Sequence, residues 1–545
     1  MNSWLNQLPI LSIAIPMFAG AAMVLLKEKR RRLVTSIGIF SALLQFGVAI
    51  TLLLASSGSL SNPWQHNIGV YLLGNWDVPL GILLVVDRLS ALMLVLCAGL
   101  GFTCLIYATT VWDRAGIHFH PLFQFLMLGI NGAFLTGDLF NLFVFFEILL
   151  AGSYGLLLHG SGERRVSSGF HYIVVNLIGA FLMLIGIAML YSVTGTLAMA
   201  DLGMKAGVLE ASERQLFEAA CAILGTAFLI KAAAWPLSFW LTDAYSSASA
   251  PVAAMFSLMT KVGVYALLRL GSLLLPTGAP AAFGGTWMYF IGLGTLIFGS
   301  IGLLAEKNLG RMFTYCVLIS SGTLLTALGM PGVALTGPSL YYLVSSVMVI
   351  GASFLLVELI RRTESVQTSV LSVSLEAFGL EEQDLKSDYA GEAVGVAIPA
   401  AMAFLGLAFF TCVLIVAGLP PFSGFLAKFA LLSQAITLTS LEMGSASYNA
   451  WFLVAFMLLS GMVTVIALGR TGIRIFWGSG ALKTPKLMLR EALPITIMLG
   501  VCIWMSIFAS DVMHFMNTTA ASLDDPMQYI DAVFQQRPVP TVGGH

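Results

Sequence analysis

FLIKAAAWPLSFWLTDAYSSASAPVAAMFSLMTKVGVYALLR, residues 228–269, is a long apolar stretch that carries only four charges, Lys231, Asp243, Lys261 and Arg269. Lys231 and Lys261 stand inside segments apolar enough to cross a bilayer. A charge at mid-membrane costs about 2.5–3.5 kcal/mol on insertion scales, so an intramembrane lysine marks a functional position. Pro236 follows Lys231 by five residues. Proline removes a backbone donor and clashes with the preceding turn, so the helix carrying Lys231 is predicted to break beside its charge.

The rest of the chain has the same character. Of 545 residues, 58% are apolar and 10% charged, against roughly 45–50% and about 25% in soluble domains. This composition excludes an ordinary soluble protein. Residues 312–357, 393–427 and 443–469 are free of charge, and each run exceeds the roughly 20 residues that cross a bilayer. The 26 basic and 27 acidic residues leave a net charge of −1, which gives no footprint for nucleic acid. Cys97, Cys104, Cys221, Cys316, Cys412 and Cys502 all lie in apolar segments without CxxC spacing, and no histidines have ligand spacing. No metal, cofactor or iron–sulfur cluster is expected. The absence of a phosphate-binding loop leaves secondary transport without nucleotide hydrolysis, so the chain is not expected to be an enzyme.

Cutting the sequence at charges, prolines and polar loops predicts an all-α polytopic membrane protein of about 14 spans, centred near residues 17, 44, 95, 129, 148, 182, 226, 261, 296, 321, 349, 410, 462 and 500. The first is followed by Lys27-Glu28-Lys29-Arg30-Arg31-Arg32 and has no cleavage signal, so it is read as a retained span. With the N-terminus outside, 18 of the 26 basic residues fall in inside loops. Lys205, Arg214 and Arg537 fall outside, and Arg88, Lys231, Lys261, Arg269 and Lys428 fall in or at the ends of spans. That asymmetry supports both the count and the direction. Residues 363–391 form an acidic inside loop, read as solvated, and the polar tail after Asp511 is expected to be a poorly packed end outside the membrane.

Two further charges are buried by the same reading. Glu147 lies in GDLFNLFVFFEILLAGSYGLL, residues 137–157, and Lys428 lies in AGLPPFSGFLAKFALL, residues 417–432, just after Pro420-Pro421. Spans 7 and 12 are thus both predicted to be broken beside a lysine. Paired broken helices point to inverted repeats around a transport site. Spans 4–8 and 9–13 form two five-helix units of opposite orientation, residues 116–272 and 286–475, flanked by spans 1–3 in 1–115 and by span 14 and the tail in 476–545. Burial favours a neutral lysine and a nearby carboxylate favours a charged one, so Glu147 opposite Lys231 would form a switchable pair that passes protons to Lys261 and Lys428. The alternative is a set of static ion pairs that only fix packing. Asp138 is read as a cap of the fifth span, Asp243 as an exposed helix-end carboxylate and Glu358 as a surface partner of Arg361 and Arg362. His118, His120, His159 and His171 are assigned loop or interfacial positions.

These stretches, with SAPVAAMFSLMTKVGVYALLR (249–269) and RMFTYCVLISSGTLLTALG (311–329), resemble the antiporter-like membrane subunits shared by respiratory complex I and the Mrp (Mnh/Pha) cation/proton antiporters, most closely the D-type branch. The resemblance implies a 14-helix fold and maps the family's essential carboxylate onto Glu147, its lysines onto Lys231 and Lys261, and its residue at the twelfth-span break onto Lys428. It also implies a hetero-oligomer with A-, B-, C-, E-, F- and G-type partner subunits in a bacterial inner membrane, exchanging sodium or another monovalent cation for protons, with both termini periplasmic. Many relatives carry a histidine near Ser320, and a histidine and a lysine near Ser346 and Ile350. Here water held by Ser320, Ser321, Ser345 and Ser346 is expected to bridge Lys261 and Lys428. Three basic residues inside spans repel sodium, so the cation route is expected in a partner or at an interface. The competing readings are a proton-pumping subunit of a complex I-like or membrane-bound hydrogenase redox complex and a non-transporting scaffold.

Overall fold

A bilayer offers no partners for free N–H and C=O groups, so apolar segments of this length must close their hydrogen bonds internally as helices. The structure, a computed structural model, describes residues 4–26, 30–116, 118–274, 285–331, 334–378, 400–439, 445–477 and 487–538. These residues form nineteen α-helices and one small hairpin. In chain order the first ten are α1 (Leu8–Leu25), α2 (Arg31–Ser56), α3 (Arg88–Ala108), α4 (Phe119–Leu135), α5 (Leu139–Leu158), α6 (Glu163–Thr194), α7 (Met199–Ala206), α8 (Ala211–Lys231), α9 (Phe239–Ser247) and α10 (Ala250–Leu274). There follow α11 (Thr286–Ala305), α12 (Leu309–Leu328), α13 (Thr336–Phe378), α14 (Ala400–Ala417), α15 (Ser423–Thr439), α16 (Ser445–Trp477), α17 (Leu489–Ile507), α18 (Ala509–Asp524) and α19 (Pro526–Gln535).

All fourteen predicted span centres fall within helices. Twelve helices among the described residues are long and apolar enough to cross a membrane. The expected spans that fall short of that measure are α4, with 17 residues, and α8, whose first turns carry Glu213, Arg214 and Glu218. Both predicted breaks are present: α8 stops at Lys231 and resumes as α9, and α14 stops at Ala417 and resumes as α15. Of the acidic insert, residues 363–378 continue α13 as helix and residues 379–391 lie outside the described residues, as do Lys27, Lys29, Lys386, Lys483, Lys486 and His545.

Burial sorts the helices into a centre and a rim. The best apolar window of α10 is 94% buried and that of α13 89%, against 33% for α16. The central helices are rich in serine, threonine, glycine and alanine, which allow close backbone approach and hydrogen bonds between helices; the rim helices turn leucine, isoleucine and phenylalanine to lipid. In the helix pair α4–α5, a Cβ on Gly129 would lie 2.7 Å from the Leu149 backbone nitrogen; in α11–α12, one on Gly322 would lie 2.5 Å from that of Leu296.

Two features depart from the sequence reading. Strands β1 (Gly69–Leu72) and β2 (Leu83–Val86) pair antiparallel, Gly69 opposite Val86, and Leu84 bridges to Thr136 at the end of α4. The tail is not a poorly packed end: Thr519, Leu523, Tyr529, Ile530 and Val533 of α18 and α19 are buried. The reason is a docking charge that the tail's own composition does not reveal. Tyr529 lies over the guanidinium of Arg269, 5.2 Å from its ring centroid.

Candidate functional site

Lys231 is the last residue of α8, where the helix unwinds through Ala233 in a left-handed conformation (φ 54°) toward Pro236. The unwound turn is tied to the second half of the chain by the Trp235 backbone N–H, which donates to Thr295 Oγ1 of α11 at 2.8 Å. The free carbonyls at the end of α8 give that end a partial negative charge that favours a cation. Lys231 is 8% exposed, and its Nζ has no hydrogen-bond partner among the described residues. It stands 5.5 Å from the ring centroid of Phe146, the neighbour of Glu147 on α5. Oε1 of Glu147 is likewise buried without a partner among the described residues. The two groups belong to one neighbourhood without forming an ion pair, so each is left to water or to a change of conformation for its satisfaction.

Gly263 brings the second lysine up to the first. A Cβ there would lie 2.6 Å from the Phe228 carbonyl oxygen and 2.7 Å from the Ala232 nitrogen, so only glycine lets α10 touch the break in α8. Lys261, fully buried on the same helix, donates from Nζ to Ser321 Oγ of α12 at 3.0 Å. Beyond it, buried hydroxyls meet in pairs. Ser320 Oγ donates to Ser346 Oγ at 3.0 Å, Ser345 and Ser423 share a hydrogen bond of 2.7 Å, and the buried Tyr342 phenol lies near Ser320 and Thr323.

Ser423 opens α15, which carries Lys428. Lys428 Nζ donates to the Ala417 carbonyl at 2.8 Å and the Val416 carbonyl at 3.2 Å, the open end of α14. This crossing needs its glycines: Gly418 has φ 80°, and a Cβ on Gly424 would fall 1.9 Å from the Ile415 oxygen. Both lysines thus belong to a helix break, in different ways: Lys231 is the last residue of α8 with its Nζ near Phe146, whereas the Lys428 Nζ caps the carbonyl end of α14. Of the serines named from the sequence, Ser321 meets Lys261, Ser320 meets Ser346, and Ser345 meets Ser423 on the helix that carries Lys428. The sequence reading missed Ser423, Tyr342 and Thr295. For Ser423 a signal existed, a hydroxyl directly after Pro420-Pro421-Phe422 at a helix start.

The remaining polar residues divide between predicted and unpredicted roles. Asp138 caps α5, its Oδ1 accepting from the Asn141 backbone N–H at 2.8 Å. Asp243, an exposed helix-end carboxylate as expected, pairs with Arg311. Glu358 pairs with Arg362, which also reaches the buried Glu491, while Arg361 donates to Asn308 instead. Asp87 does not pair with its neighbour Arg88, which donates to the Ser56 and Ser57 carbonyls. Asp87 instead receives two hydrogen bonds of 2.7 Å from Arg269, both side chains being buried. His120 and His159 are buried rather than in loops, because each sits at a helix end covered by neighbouring helices. Among the described residues no three His, Cys, Asp or Glu side chains group as a metal site, and all six cysteines are buried and free.

Known proteins resemble this chain over nearly its whole length. A relative from Rhizobium meliloti, named as the D subunit of a probable K(+)/H(+) antiporter, is 48% identical, with 98% of both chains covered. The D subunit of a Na(+)/H(+) antiporter of Alkalihalophilus pseudofirmus is 30% identical over 98% of this chain and 100% of its own. A chain in the structure of the Mrp complex from Dietzia sp. superimposes with a TM-score of 0.78 at 25% identity, covering 98% of this chain and 100% of that one. Residues 136–462, which contain Glu147 and all three buried lysines, match the family model described as NADH:quinone oxidoreductase/Mrp antiporter, transmembrane. The chain is a multi-pass membrane protein that belongs to the NADH:quinone oxidoreductase/Mrp antiporter family.

Proposed function

We propose that this chain is the proton-conducting, D-type subunit of a multi-subunit monovalent cation/proton antiporter, coupling proton movement through buried side chains to sodium efflux. Its partners are subunits of the A, B, C, E, F and G types, and its place is a bacterial inner membrane with both termini periplasmic. The observation that carries the reading is the placement of the three buried lysines. Lys231 is the last residue of the broken helix α8, Lys428 donates to the carbonyl end of α14, and Lys261, on the helix that packs against the α8 break, donates to Ser321 of α12.

We infer that Glu147 and Lys231 exchange between a paired and a separated state. In the separated state the lysine gives its proton toward Lys261, and Ser321, Ser320, Ser346, Ser345 and Ser423 carry hydration on to Lys428. The repeats assigned to spans 4–8 and 9–13 suit this path. Both place a lysine at a helix break, and both open with a glycine-packed pair, α4–α5 and α11–α12. With three cationic side chains on the path, the metal cation itself crosses elsewhere in the complex. The 48% identical relative named for K(+)/H(+) exchange makes potassium the second reading for the cation.

The test is cation-dependent proton movement in everted vesicles from an antiporter-deficient host carrying the complete neighbouring operon, with sodium and potassium added in turn. Lys231→Ala, at matched assembly, is expected to abolish exchange. Exchange that survives this substitution refutes the path. Wild-type vesicles that acidify with a redox donor and ignore both cations move the protein to the redox-driven branch of the family.

A further inference from the structure

α6 begins beside a cavity of about 400 Å³ enclosed with α9, α12 and α13. This volume is in the range of small-ligand sites. Its wall is basic: it carries Arg164, Arg311, Arg361 and His171 against the single carboxylate of Asp243. Arg311 engages Asp243 and Arg361 donates to Asn308. The Arg164 guanidinium has no ion pair or hydrogen bond among the described residues. His171 Nδ1 donates to the Ser167 carbonyl at 2.9 Å, leaving Nε2 uncommitted. Hydroxyls of Ser167, Ser168, Ser246 and Ser247 line the cavity beside these cations, and Trp240, 3% exposed, backs its wall, packed against Tyr172 and Tyr245.

The same helix face continues away from the cavity as an apolar stripe. Arg164, Ser167 and His171 are followed at helical spacing by Val174, Ile178, Phe181 and Ile185, which are 37%, 52%, 58% and 49% exposed. Phe239, 60% exposed, stands at the cavity mouth beside them. A basic, hydrogen-bond-donating cavity at the end of a membrane helix, opening onto an exposed apolar stripe, matches one kind of molecule in both parts.

We propose that this cavity seats the phosphodiester headgroup of an anionic phospholipid, with an acyl chain laid along the Val174–Ile178–Phe181–Ile185 face of α6. Arg164 supplies the uncompensated charge. A zwitterionic lipid of the same chain length fills the stripe but brings a second cation to a basic wall. The proposal rests on the chain's place in a membrane and not on its transport activity.

The experiment titrates the purified full-length chain in detergent with phosphatidylglycerol and with phosphatidylcholine of matched acyl chains, reading bound lipid by native mass spectrometry. Phosphatidylglycerol is expected to bind more tightly, and Arg164→Glu to weaken it by at least roughly fivefold, the effect of about one basic residue near a lipid surface. Arg164→Ala, which adds no new charge, is expected to give a smaller loss in the same direction. Arg490→Glu, an exposed arginine at the start of α17 and outside the cavity, is the control and is expected to leave affinity unchanged. Equal binding of the two lipids, equal losses in the Arg164→Glu and Arg490→Glu variants, or displacement of the lipid by millimolar inorganic phosphate would each overturn the proposal.

Discussion

Gly263→Ala tests whether the contact between α10 and the α8 break matters for transport, because it changes no charge and removes no hydrogen-bonding group. The added Cβ would meet the Phe228 carbonyl oxygen at 2.6 Å, the Ala232 nitrogen at 2.7 Å and the Lys231 carbonyl carbon at 3.1 Å. All three are backbone atoms, so no side chain can swing aside. The break must retreat by about 0.8 Å to reach the 3.4 Å of ordinary contact, a forced backbone shift of the kind that costs about 1–3 kcal/mol. Alanine returns up to about 1 kcal/mol through helix propensity, so a net loss near 1–2 kcal/mol is expected. The displacement moves the Lys231 backbone directly. If that shift is felt in the proton-transfer step, exchange slows by roughly 5- to 30-fold. The assay is cation-dependent proton movement in everted vesicles, with thermal stability measured on the same preparations. Gly47→Ala is the control, since a Cβ there meets nothing within 4 Å. A Gly263→Ala protein whose transport and stability both match those of Gly47→Ala would refute the reasoning.

Three further outcomes follow from named contacts. Asp87→Asn keeps the helix-capping geometry at α3 but strands Arg269, so unfolding in SDS is expected to cost about 3–5 kcal/mol less, with much of that restored in an Asp87→Asn, Arg269→Met double variant. Ser320→Ala with Ser346→Ala removes a buried hydroxyl pair on the route to Lys428, and exchange about tenfold slower is expected, equivalent to about 1.4 kcal/mol; undiminished transport at matched assembly would remove these residues from the path. Asp138→Ala deletes the α5 cap and is expected to destabilise by about 1 kcal/mol, with Asp138→Asn close to wild type in the same thermal measurement.

Much of the fold was legible because a membrane simplifies the problem. Length and charge alone located the fourteen helical segments, since each had to satisfy its own backbone bonds. The two breaks were legible for the same reason, as Pro236 and Pro420-Pro421 cannot continue a helix without losing donors. Glu147, Lys231, Lys261 and Lys428 stood out because a charge in an apolar run is costly. The hydroxyls did not all stand out. Ser423 and Tyr342 are cheap to bury singly, and their significance arises only from what faces them on another helix.

The sequence by itself determined that this chain spans a membrane many times, that two spans are broken, and that Glu147, Lys231, Lys261 and Lys428 lie within its apolar segments. These properties depend on local composition, and the bilayer reads composition directly. Tertiary structure alone decided the partners. Asp87 passed over adjacent Arg88 to take Arg269 from 182 positions away, and Arg269 also meets the tail at Tyr529. Ser321 met Lys261 across 60 residues, and Ser345 met Ser423 across 78. Such pairings follow from which helix faces come into contact. That is settled by close packing at glycines such as Gly263, Gly322 and Gly424, whose missing side chains leave no trace in hydropathy yet set how near two backbones can lie.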